Sequence, residues 1–127
     1  MKRFSLVLLV ILAPLALADG HKTLDWDTAL SGAHRTEANI ARNSERHPRE
    51  TLAFFGLEGE MTVLEVSPGG GWYTEVLAPL LAPHGKLVAG HGSPNGSAYG
   101  RRSLGGYLQK LGRDNDVYAH VDVRVMQ

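Results

Sequence analysis

Thr62-Val63-Leu64-Glu65-Val66-Ser67-Pro68-Gly69-Gly70-Gly71-Trp72-Tyr73-Thr74-Glu75 is the stretch that decides the fold. An apolar run of strand character enters three consecutive glycines and leaves as a helix beginning near Trp72. Glycine has no Cβ, so such a turn reverses sharply and brings backbone N–H groups close to a ligand. The helix that follows aims its positive end at the same place. Together these features describe a loop that holds a nucleotide-like molecule, whereas a glycine triplet taken alone is equally a tight turn with no ligand.

Working outward, Met61 to Val66 is apolar on both alternating faces apart from Thr62 and Glu65, which predicts a strand covered on both sides and central in a parallel sheet. Trp72 to Leu81 predicts the next helix, which Pro79 should kink or end. Leu87-Val88-Ala89-Gly90 is a second short strand after the turn Pro83-His84-Gly85-Lys86. Strand, glycine turn, helix and strand make one right-handed crossover unit, with the glycines at the first strand's carboxyl end. Gly92 to Gly100 reads as a flexible loop with one aromatic, Tyr99. Leu104, Tyr107, Leu108 and Leu111 fall at helical spacing, although Gly105 and Gly106 each weaken that helix by about 1 kcal/mol relative to alanine. Val117 to Met126 alternates, with Val117, Ala119, Val121, Val123 and Val125 on one face and Tyr118, His120, Asp122 and Arg124 on the other. A strand wet on one face belongs at a sheet's edge.

Upstream, scattered apolar residues from Leu24 to Ser44 predict one or two weakly amphipathic helices broken near Gly32, a helical cover over residues 19–46. His47-Pro48-Arg49-Glu50 opens another helix, with Pro48 at its first position. Leu52, Phe54 and Phe55 would form its apolar face, and Gly56 would stop it. The chain begins with Lys2 and Arg3, an apolar run from Phe4 to Leu17, and Ala16-Leu17-Ala18 before Asp19. These are the charged start, short apolar core and small-x-small site of a secretory signal spanning 1–18 and cleaved after Ala18. A membrane span wants about 20 apolar residues. The expectation is a periplasmic or secreted protein with no stable span after cleavage.

Composition narrows the chemistry. Thirteen Lys+Arg stand against thirteen Asp+Glu, and loss of Lys2 and Arg3 with the signal leaves a slightly acidic protein with no nucleic-acid signature. The absence of cysteine removes disulfides, thiolate nucleophiles and zinc-thiolate sites, so an exported domain of this kind is held by packing alone. The six histidines never recur at three- or four-residue spacing, which argues against a metal site. Ser67 lacks the Gly-x-Ser-x-Gly elbow of a serine hydrolase. Trp72 reads as a packing residue at the helix start, and Tyr73, which carries a hydroxyl, is the better ligand contact.

The order Glu65-Val66-Ser67-Pro68-Gly69-Gly70-Gly71 resembles the first motif, acid-x-Gly-x-Gly-x-Gly, of the class I S-adenosylmethionine-dependent methyltransferases. The wider string from His47-Pro48-Arg49-Glu50-Thr51-Leu52 to Pro68-Gly69-Gly70-Gly71-Trp72-Tyr73-Thr74-Glu75 resembles an exported, predicted bacterial subgroup of them. The likeness runs over about residues 34 to 125 and is most specific in PGGGWYTE. It implies an α/β, Rossmann-like three-layer fold over residues 47–127, with a partial parallel sheet of about three strands in the order 3-2-1 and flanking helices. It also implies that Ser67, Gly69 and Gly71, with Gly70 between them, line the methionine and ribose part of S-adenosylmethionine. Glu65 would orient backbone amides at the base of the loop or meet the cofactor's amino group.

Two departures accompany the likeness. Ser67 occupies the first glycine position, which requires φ below zero there. The acid that normally ends the second strand and grips the ribose hydroxyls is replaced by Ala89-Gly90-His91, leaving His91 as the nearest substitute. A neutral imidazole accepts one hydroxyl where a carboxylate takes two. The family's sheet runs 3-2-1-4-5-7-6, so the resemblance accounts for its first three strands. Residues that act on the methyl acceptor usually follow the fourth, which leaves the catalytic residues and the acceptor unassigned.

Three functions compete. The first is methyl transfer, in which the protein orients an acceptor for in-line attack on the cofactor's sulfonium methyl and excludes water. The second is a non-catalytic exported partner-binding protein derived from such an enzyme, which docks through the unpaired edge of the first strand or through the N-terminal helices, the strand edge also offering a route to self-association. The third is nicotinamide dinucleotide binding, for which Gly69-x-Gly71-x-x-Thr74 nearly fits the six-residue glycine pattern, with Thr74 in place of the last glycine.

Overall fold

The structure is a computed structural model and describes residues 23–126; the expected signal segment lies outside them. Three strands, β1 (Thr62–Val66), β2 (Lys86–Gly92) and β3 (Val121–Met126), form one parallel sheet in the order β1-β2-β3. Between β1 and β2 runs α5 (Trp72–Leu81), and between β2 and β3 run α6 (Ala98–Arg113) and the short α7 (Asn115–Tyr118). Ahead of the sheet lie α1 (Trp26–Ser31), α2 (Glu37–Ala41), α3 (Asn43–Arg46) and α4 (Pro48–Phe54). The expected α/β fold, with a partial parallel sheet and flanking helices, is the fold observed. Among the described residues no helix is long and apolar enough to cross a membrane.

Register fixes what each face of the sheet does. Val63 pairs with Leu87 and Leu87 with Val121, so these three share a face. They pack with Leu77, Ala78, Leu81 and Tyr118 to form the main core. A second stripe of α5, Val76 and Leu80, closes on Ala29 of α1. The layers therefore stack as sheet, then α5, then the N-terminal cover.

The strand β1 departs from its expectation of cover on both sides. Its residues alternate in exposure, and Leu64 and Val66 on the far face are 57% and 62% exposed. The reason lies in topology: two successive crossovers that advance in the same direction and share one hand place both connecting helices on the same face. Among the described residues nothing covers the other face or the outer edge of β1. Apolar composition on both sides of β1 announced burial that the described residues do not supply.

Other departures are local. The segment Val117–Tyr118 is helical rather than extended, and the strand begins only at Val121. That helical turn, held by amides of Val117 and Tyr118 on Asp114 O, swings Tyr118 into the core instead of onto a wet face. The expected loop to Gly100 ends sooner, because Ser97 caps α6 by accepting from the Gly100 amide at 2.9 Å. Leu52 packs inward as expected, but Phe54 and Phe55 are 85% and 75% exposed and meet each other edge to face. Pro79 does not end α5, which continues to Leu81.

Candidate functional site at the glycine loop

The loop after β1 is built from alternating backbone hands. Ser67, Gly69 and Gly71 have φ of 54°, 57° and 76°. Gly71 is the residue before α5, and a Cβ on it would lie 3.1 Å from the Tyr107 ring and 3.3 Å from Lys110 Cδ, so glycine is required there twice over. Ser67 contradicts the requirement of a negative φ. It sits in the left-handed region, which costs a non-glycine residue about 1–2 kcal/mol, and is held by its amide donating to Gly90 O at 2.8 Å.

Below the loop lies a polar chain. Thr74 Oγ1 donates to Glu65 Oε2 at 2.6 Å, and Tyr107 Oη lies 3.0 Å from the same hydroxyl. Since the threonine proton goes to the carboxylate, Tyr107 must donate to Thr74. Burial raises the Glu65 pKa, and the Thr74 hydroxyl and amide bonds oppose the rise. Glu65 thus fastens strand β1 to the first turn of α5. Burial also pushes the Tyr107 phenol up to about 12, with the Thr74 bond opposing and the Glu65 charge adding.

A second hub holds α5 to the rest. Glu75 is buried and receives Arg35 Nε at 3.1 Å, Asn39 Nδ2 at 2.8 Å and the Lys110 ammonium. Lys110 also donates to Gly70 O at 2.9 Å, which ties the loop to α6. The indole N–H of Trp72 donates to Asn39 O at 3.0 Å, and the guanidinium groups of Arg35, Arg42 and Arg46 lie 5.1, 5.9 and 4.7 Å from its ring centre. Trp72 is therefore the packing residue expected at the helix start.

Between the loop and α6 opens a groove of about 340 Å³ lined by Gly69, Gly70, Tyr99, Arg102, Ser103, Gly106 and Tyr107. Of the residues expected to bind a cofactor, Gly69 and Gly70 reach it. Gly71 lies buried under Tyr107, and Glu65 is one hydrogen-bond chain away through Thr74 and Tyr107. Ser67 is exposed at the start of the loop. Tyr73 packs against the main core and edge-on to Trp72 at 4.9 Å, away from the groove lining. His91 is buried with its ring 4.4 Å from Tyr107, and its Nε2 has no hydrogen-bond partner among the described residues. Desolvation lowers the His91 pKa, so the ring is neutral at pH 7.

Sequence reasoning missed Thr74, Glu75, Tyr107 and Lys110, and the adjacent pair Arg101-Arg102, which reads in sequence as a solvated loop rather than a phosphate clamp, lies on α6. Thr74 and Glu75 stand inside the most specific string, where Thr74 reads as a replaced glycine and Glu75 as part of the string's spelling. Tyr107 falls at a helical apolar position, and nothing near it in sequence points to β1. Among the described residues no group of three or more His, Asp or Glu side chains could hold a metal ion. A parallel α/β crossover unit with a glycine loop at the carboxyl end of β1 is the class of structure that fold and site define. Comparison with protein-family profiles, curated proteins and solved structures gave no match for this chain.

Proposed function

We propose that the chain binds S-adenosylmethionine at the glycine loop and belongs to a methyltransferase whose acceptor is unassigned. The observation that carries this reading is the groove of about 340 Å³ at the carboxyl end of β1, walled by Gly69 and Gly70 on one side and α6 on the other. Ligands of open parallel sheets bind outside the carboxyl ends of the strands. The loop is braced from below by Glu65, Thr74 and Lys110, so its amides are set before a ligand arrives. On this reading the chain's residues bind and orient the cofactor, and the attack on its methyl is made by the acceptor. His91 supplies no open hydroxyl-binding group, so affinity should be modest.

The test is calorimetry with S-adenosylhomocysteine on the wild type and on Gly106→Leu. A Cβ at Gly106 meets nothing within 4 Å, so the larger side chain fills the groove while leaving the fold intact. Heat from the wild type and none from the variant is the expected outcome. No heat from the wild type at millimolar ligand would remove the reading.

A second reading, a partner-binding protein that uses the open sheet, is favoured by the exposure of Leu64, Val66, Phe54 and Phe55. Concentration-dependent association without any cofactor affinity would favour it over the first.

A further inference from the structure

The alternation of hand from Ser67 to Gly71 has a chemical meaning. Ser67, Gly69 and Gly71 lie at positive φ, Pro68 is held near about −65° by its ring, and Gly70 lies outside the positive region. Such alternation turns successive N–H groups toward one side and forms a concavity suited to an anion. Two of the amides are taken, Ser67 by Gly90 O and Gly71 by Pro68 O, both at 2.8 Å. Those of Gly69 and Gly70 have no acceptor among the described residues, and both residues line the groove.

Across the groove, α6 presents Arg102 and Ser103, and then Gly106 one turn on, where the missing side chain keeps the space open. The Arg102 guanidinium has no carboxylate partner among the described residues. Lys110, another turn along, is already bound to Glu75 and Gly70 O and serves the loop rather than the groove. Residues that carry a cation, a hydroxyl and two unclaimed amides thus line one space, together with Tyr99 and Tyr107.

We infer that this groove recognises an oxyanion on its ligand, with Arg102 as the cationic partner. Resting on the function proposed above, that group is the carboxylate at the cofactor's amino-acid end; a nucleotide phosphate would present the same chemistry. A guanidinium fork takes either in two-pronged fashion.

The test compares S-adenosylhomocysteine, methylthioadenosine and adenosine monophosphate by calorimetry on the wild type and on Arg102→Gln. Arg102 is exposed and glutamine is a good helix former, so the variant folds, which circular dichroism verifies. Methylthioadenosine keeps the adenosyl thioether and lacks the carboxylate. The wild type should bind S-adenosylhomocysteine about tenfold more tightly than methylthioadenosine, and Arg102→Gln should erase that gap by weakening S-adenosylhomocysteine alone. Adenosine monophosphate bound in an Arg102-dependent way, with no heat from S-adenosylhomocysteine, keeps the oxyanion site and overturns the methyl-donor reading. Equal affinity for the two thioethers, or S-adenosylhomocysteine affinity indifferent to Arg102→Gln, overturns the inference while the cofactor reading stands. No heat from any of the three overturns both.

Discussion

Ser67 and Gly71 both occupy left-handed backbone, and only one of them is glycine. Ser67→Gly relieves the strain and should raise stability by about 1 kcal/mol, whereas Gly71→Ala should lower it by at least about 1–2 kcal/mol through strain and the close Tyr107 ring. Urea unfolding of the pair reads both signs, and a loss from Ser67→Gly would contradict the geometry. His91 gives a pH signature. Its folded pKa lies below the ordinary 6.5, so above that pH both folded and unfolded imidazoles are neutral and nothing is gained or lost. As pH falls below 6.5 the unfolded chain takes up the proton first and stability declines, until the folded ring protonates too. His91→Phe should flatten this part of the urea-midpoint profile; an equal decline in the variant would assign it elsewhere. The glycines were legible as a turn because their chemistry is local. The handedness of Ser67 was not, because Gly90 on the neighbouring strand holds it there.

At the scale of elements, α5 came out of the sequence with both of its ends, from Trp72 to Leu81, and Pro79 does not end it, for an instructive reason. Proline removes the N–H that would have bonded to Glu75 O. The structure gives that carbonyl another partner: His34 Nε2 at 2.8 Å. With the carbonyl satisfied, the helix continues for two further residues. His34→Ala should therefore orphan a buried carbonyl and cost about 1–3 kcal/mol, and the loss should vanish in a Pro79→Ala background, where the helix supplies its own N–H. A double-mutant cycle by thermal unfolding measures the coupling, and purely additive effects would refute it. Arg35 ties the same cover to α5 through a buried ion pair, so Arg35→Met should cost about 3–5 kcal/mol and expose α1 amides to hydrogen exchange. None of these ties was legible, because each joins residues about forty positions apart that follow no periodicity. The end of β3 was legible by its alternation, and the start was not, because Val117 and Ala119 extend that pattern into a helical turn and the residues after it.

For the whole molecule, parallel topology was readable from the strand, glycine turn, helix and strand order, since that order admits few arrangements. Which face would stay open was not readable, because apolar residues on β1 do not say what covers them. Leu64 and Val66 on an edge strand make an unprotected apolar surface. The protein should associate reversibly as concentration rises, and Leu64→Lys with Val66→Lys should shift it toward monomer in sedimentation experiments; an unchanged profile would show that this face is not the contact. The claim on which the functional account turns is that amides of the glycine loop are set to receive an adenosyl ligand. The most direct measurement is a titration of the isotope-labelled protein with S-adenosylhomocysteine, followed by amide NMR across the chain. Saturable shifts concentrated at Gly69, Gly70, Arg102 and Gly106 are expected, and the absence of shifts at millimolar ligand, or shifts confined to residues away from the groove, would contradict that claim.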